Sequence, residues 1–210
     1  ISNTNFVNTN AEDFLNIIHS NFELDNVRFS NSTSDAFDSD YSNGYIGNIN
    51  LRDVGGDGLD FSGGHVELNK IEAKNIFDKA ISAGEGTNLK INNVFFQNVG
   101  VGIASKDGSN VIAKNCTTQN PLISSYMTYI KKNNYSYPTL NLENCKTILK
   151  NKDKYSKKEL NNIYFVRELN TTLINDGKEI KEQIIDVDKL YSSTAMKKNK
   201  IQGKCNAIWV

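Results

Sequence analysis

The chain is poor in the residues that would mark several other protein classes. Two prolines in 210 residues exclude a proline-rich linker, and 23% charged with 38% hydrophobic residues is not the composition of a disordered segment. Three cysteines, Cys116, Cys145 and Cys205, are too few and too scattered for a disulfide framework. With no Cys-x-x-Cys and only His19 and His65 to assist, they lack zinc-finger spacing too. No apolar run approaches the roughly 18 residues of a membrane-spanning helix, so no membrane insertion is expected. Twenty-four basic residues balance 24 acidic ones. No global field draws in nucleic acid, which is not an expected partner. The sequence opens at Ile1 without a basic or apolar leader region and reads as carrying no secretory signal in this form.

Asparagine is what the chain has in excess, 31 residues in all, and its placement is periodic. The pattern apolar-x-x-apolar-x-apolar begins at Ile1, Leu24, Ile46, Leu68, Ile91, Ala113 and Leu142, about 22 residues apart except for the last step. A second apolar series, Leu15, Phe37, Leu59, Ile81, Ile103 and Ile123, keeps step with it. Just before the middle apolar position stand Asn3, Asn26, Asn48, Lys70, Asn93, Asn115 and Asn144. Five residues later stand Asn8, Asn31, Asp53, Asn75, Asn98 and Asn120. A 22-residue unit without helical periodicity, broken at Gly, Asn and Asp, is a set of short strands. Such strands are stable only when stacked on copies of themselves. Asparagine tolerates left-handed bends, and its amide can bond to the amides above and below.

On these columns, and on the segments 56–63, 78–86 and 102–109, residues 1–149 resemble the right-handed parallel β-helix superfamily of pectate-lyase-like proteins and uncharacterised bacterial β-helix domains. The expected fold is all-β: a right-handed parallel β-helix of about seven rungs of roughly 22 residues. The period fails after Leu149. Residues 150–194 are therefore expected to form a non-repeating C-terminal cap, with Asp176-Gly177 as a tight hairpin turn, and 195–210 a tail. The interval before Leu142 holds Tyr126, Tyr129, Tyr135 and Tyr137 and is expected to leave the rod as a loop. The abrupt first rung suggests further rungs or a domain upstream.

Strand alternation points Asp38 and Asp60 outward on neighbouring rungs, with Asp35 and Asp57 in a parallel column. Carboxylates at that spacing repel; a bound Ca²⁺, a raised pKa or an adjacent cation must offset this. Asp38 and Asp60 are the candidate catalytic pair, and Asp38, Asp57 and Asp60 the candidate Ca²⁺ ligands. Arg28, Arg52, Lys74 and Lys79 are expected along a neighbouring face, with Arg52, Tyr129 and Tyr137 as candidate substrate contacts. As residues just before strands, Asp35 and Asp57 would also cap backbone NH groups. Polygalacturonase-like signatures are missing, and neither Arg28 nor Arg52 sits in a lyase-like motif. The sequence therefore leads first to an extracellular or cell-surface module that binds or displays a polysaccharide or surface glycan. A polysaccharide lyase, hydrolase or epimerase centred on the aspartates is the alternative, and a structural spacer the third. Cys116 and Cys145 fall in one inward column, as stacked buried thiols.

Overall fold

The computed structural model describes residues 1–181 and 184–193. The chain is 63% strand and 8% helix and winds into a parallel β-solenoid of about six turns. The first rung comprises β1 (Ser2–Thr9) and β2 (Asp13–Ile18), the second β3 (Asn21–Ser32) and β4 (Asp35–Asp40). The third comprises β5 (Asn43–Ile46), β6 (Ile49–Val54) and β7 (Leu59–Ser62). The fourth and fifth are single long bent strands, β8 (His65–Gly84) and β9 (Asn88–Lys106). The sixth comprises β10 (Asn110–Gln119) and β11 (Ser124–Tyr129), followed by β12 (Thr139–Glu143) and β13 (Lys146–Ile148). Every rung-to-rung pairing is parallel.

Each rung presents three faces. On face A the inward column runs Leu24, Ile46, Leu68, Ile91, Ala113 and Leu142, none more than 2% exposed. On face B, Val27, Ile49, Ile71, Val94 and Cys116 form the inward column, all buried. On face C the column is Leu15, Phe37, Leu59, Ile81, Ile103 and Tyr126. The last member corrects the sequence reading: Tyr126, not Ile123, pairs with Ile103. Ile123 instead packs with the cap in a satellite cluster. The spacing suggested Ile123 because a three-residue longer interval before β11 cannot be seen from an apolar pattern alone.

The bends follow the asparagine columns. Asn3, Asn26, Lys70, Asn93, Asn115 and Asn144 are left-handed at the A–B bend, and Asn8, Asn31, Asp53, Asn75, Asn98 and Asn120 at the B–C bend. Their amides link rungs: Asn26 donates to Asn3, Asn31 to Asn8, Asn75 to Asp53 and Asn98 to Asn75. Asn93 and Asn115 donate to Asn69 and Asn92, one place earlier than the aligned column. Asn48 does not take the left-handed bend: Gly47 precedes it, and a Cβ there would come within 2.4 Å of Asp25 Oδ1.

Strand pairing carries on past Leu149. After α1 (Lys157–Tyr164), started by a capping box between Ser156 and Glu159, β14 (Phe165–Arg167) adds to β11 on face C. β15 (Thr172–Asn175) adds to β12 and turns back antiparallel into β16 (Lys178–Glu179). The turn is Asp176-Gly177, both left-handed at φ 46° and 76°, the conformation that a two-residue hairpin requires. The helix was not foreseen, although Ser-Lys-Lys-Glu carries its start signal. Finally α2 (Val187–Ser193) lies against face C. The expected tail 195–210 lies outside the described residues.

Candidate functional site

Face C carries the aspartates. Asp38, Asp60, Ser82, Ala104 and Met127 are consecutive neighbours in one outward column. The sequence-predicted pair is therefore brought together, one rung apart, or about 4.8 Å between strands. The Asn16 amide donates to Asp38 Oδ2 at 3.4 Å. Burial, then Asp60, Asp40 and Asp13, push the Asp38 carboxyl up to about 7. Burial and Glu12 also raise Asp13.

The charge that balances these carboxylates comes from two lysines on the next rungs. Lys106 Nζ stands 3.7 Å from Asp60 Oδ1. It reaches back one rung further than its own neighbour because Gly84 lies beneath it; a Cβ at Gly84 would be 3.3 Å from Lys106 Cε. Lys79 Nζ lies 3.2 Å from Asp57 Oδ1 and 3.0 Å from Asp78 Oδ1. All three of Asp57, Lys79 and Lys106 are buried. Burial alone would raise Asp57, but the two ammoniums hold it below the ordinary carboxylate value. Burial would lower Lys79 and Lys106, and their carboxylate partners overcome it, so both stay protonated. Tyr129 lies between the same charges; burial raises its hydroxyl, against the pull of Lys79 and Lys106.

Asp35 and Asp57 act as the turn residues the sequence suggested. Asp35 Oδ1 accepts the NH of Asp57, and Asp57 Oδ1 the NH of Lys79. Oxygens of Asp35, Asp57 and Asp60 come within 4.8 Å of one another. Two of these three carboxylates already face an ammonium, so the donor set fits an ion-pair network better than the expected Ca²⁺. A raised pKa at Asp38 and adjacent cations at Asp57 and Asp60 both offset the repulsion.

The other expected contacts fall elsewhere. Arg52 is on β6, exposed on face B between Ser30 and Lys74. Period-2 reasoning placed it outward but could not say on which face. Tyr129 belongs to β11 rather than to a loop and is 7% exposed, so its ring is not open to a sugar. The loop is only 130–138. Tyr137 on it is 57% exposed, accepts from Asn170 Nδ2 at 3.2 Å and lines a hollow that includes Tyr135 and Glu168 but neither Asp38 nor Asp60. Sequence reasoning missed Lys106. Its signal was its place in the segment Gly102 to Ser109, one step beyond the aspartate column.

No family model matches the chain, and no curated protein matches it in sequence. No helix among the described residues is long and apolar enough to cross a membrane.

Proposed function

We propose that this β-solenoid hydrolyses glycosidic bonds of a neutral or amino-sugar polysaccharide on face C. The observation that carries the reading is the unequal pair: Asp38 and Asp60 adjoin in one outward column, and Lys106 stands beside Asp60. Two carboxyls whose surroundings differ in this way divide into acid and base. Asp38, holding a proton near neutrality, donates it to the departing glycosidic oxygen. Asp60, its carboxylate 3.7 Å from the Lys106 ammonium, attacks the anomeric carbon, and water then releases the sugar. The rung spacing of about 5 Å supports a covalent glycosyl intermediate, since carboxyls held at that separation would leave no room for a water between them. Asp13, Asp38, Asp40 and Asp60 make the approach acidic, which disfavours uronate polymers and with them a lyase or epimerase. A place outside the cell or on its surface, where such polymers are met, belongs to the same proposal.

A binding or display module is the second reading. A groove of about 510 Å³ at the B–C bend favours it, lined by Asn8, Asn31 and Asn75 of the amide ladder and by Phe77. The two readings separate on laminarin, xylan, cellulose and chitosan by reducing-end release. Hydrolysis lost in Asp38→Asn and Asp60→Asn, with binding kept, supports the first. Binding without hydrolysis, lost in Phe77→Ala, supports the second. A chain inert in both assays leaves the spacer reading.

A further inference from the structure

Face C is open on one side of the aspartate pair and built over on the other. On rungs one to three its outward residues Asn16, Asp38 and Asp60 reach solvent. On rungs five and six, Val101, Ala104 and Met127 of the same face are buried in a cluster with Ile185, Val187 and Leu190. The strap that covers them reaches back to the site. The Tyr191 hydroxyl is 3.2 Å from Asp78 Oδ1, and Lys79 Nζ is 5.8 Å from the Tyr191 ring centre. Tyr191 therefore stands where a ligand running along the rod beyond Lys79 and Lys106 would have to pass.

The exit edge of face C is walled as well. His19 and Tyr41 stack at 5.4 Å along the rod axis. The Tyr41 hydroxyl approaches Glu85 Oε2 at 3.4 Å, and Lys132 of the loop pairs with Glu85. The loop is fixed there, since Asp107 Oδ1 accepts the NH groups of Lys131 and Lys132 at 2.7 Å. A ligand crossing the face at right angles to the axis meets this wall. For a ligand lying along the axis, the open end is at the first rung, where Asn16 is exposed.

We infer that the site is blind, so that a glycan reaches Asp38 and Asp60 by its terminus with the rest of the chain running back over rungs two and one. The protein then removes short units from one end of a chain rather than cutting within it. This rests on the hydrolase reading and adds to it the part of the substrate that is recognised. Tyr191 is the specificity-determining residue: it touches Asp78 and lies beside Lys79, and closes the site without taking part in proton transfer.

The test uses the full chain with hexasaccharides of β-1,3-glucose, β-1,4-xylose and β-1,4-glucosamine, each labelled with a fluorophore at the reducing end. The expected early products differ from the hexamer by one fixed unit, lost from one end only. Tyr191→Ala, which opens the far wall, is expected to add internal products, and so is Val187→Asp, which loosens the whole strap. Circular dichroism of both variants checks that the solenoid is intact. Early products of mixed length from the wild type overturn the blind site and leave the hydrolase reading standing. No turnover of any hexamer overturns both.

Discussion

Partial burial, then three acidic neighbours, push the Asp38 carboxyl up to about 7, while Asp60, one rung away, has an ammonium beside it. The consequences have definite signs. Turnover by Asp38 as an acid should fall as pH rises through about 7, the alkaline limb of the pH profile of kcat/KM. Stability should respond in the same window. The folded pKa lies above the ordinary carboxylate value, so the native state binds more protons from that value up to about 7, and stability declines as pH rises across it. Asp38→Asn removes this slope. It should stabilise the protein at pH 8 by about 1 kcal/mol, well under the unscreened value because the carboxyl is partly in solvent, and have little effect at pH 4. Thermal melts at the two pH values check it. Lys79 has the opposite character. Lys79→Met leaves Asp57 buried without its paired cation and should cost about 3–5 kcal/mol in urea unfolding. Of these residues the sequence announced the aspartates, by alternation. It could place Lys106 near the aspartates but not announce their contact, because that depends on a long side chain lying back over Gly84, and reach is not encoded in period.

At the scale of the element, the bends decide the register. Asn75 takes φ 57°, donates to Asp53 and accepts from Asn98. Asn75→Ala removes both bonds and leaves an L residue with no local amide in a left-handed bend, so a loss of about 1–3 kcal/mol is expected. Asn75→Gly should recover the conformational part but not the bonds, and urea melts of the two variants separate the contributions. The start of α1 should be weaker by about 1 kcal/mol in Ser156→Ala, which removes the capping box, read as helical signal lost on mild heating. The asparagine columns were legible because each rung repeats one local requirement, a left-handed residue with a hydrogen-bonding side chain. Asn48 broke the pattern where Gly47 must fit against Asp25, a contact between rungs that no single rung records.

At the scale of the molecule, stability is a sum over stacked rungs and their interfaces. Central rungs bury their inward residues on both sides; the first does not, and Phe6, Phe14 and Leu15 are only partly buried. Ile71→Ala in the fourth rung should therefore cost about 2–5 kcal/mol, and Phe6→Ala distinctly less than the usual large-aromatic loss. Hydrogen exchange should give the same gradient, with β8 and β9 the slowest to exchange and β1 the fastest. Cys116 is buried and Cys145 half-buried, free thiols on neighbouring rungs, and they behave as part of this core.

The amino-acid sequence by itself determined that the chain coils, how long each rung is, where it bends and, apart from Tyr126, which residues line the interior columns. Those properties follow from local alternation and from a requirement repeated every 22 or so residues, and repetition makes a weak signal strong. Only the tertiary structure decided which outward residues share a face, that Tyr126 and Tyr129 belong to strands, and that Lys79 and Lys106 balance the aspartates. It also decided that the C-terminal strap covers one end of face C. Those outcomes depend on side-chain reach and on how a non-repeating segment folds back across several rungs, and neither leaves a period to read.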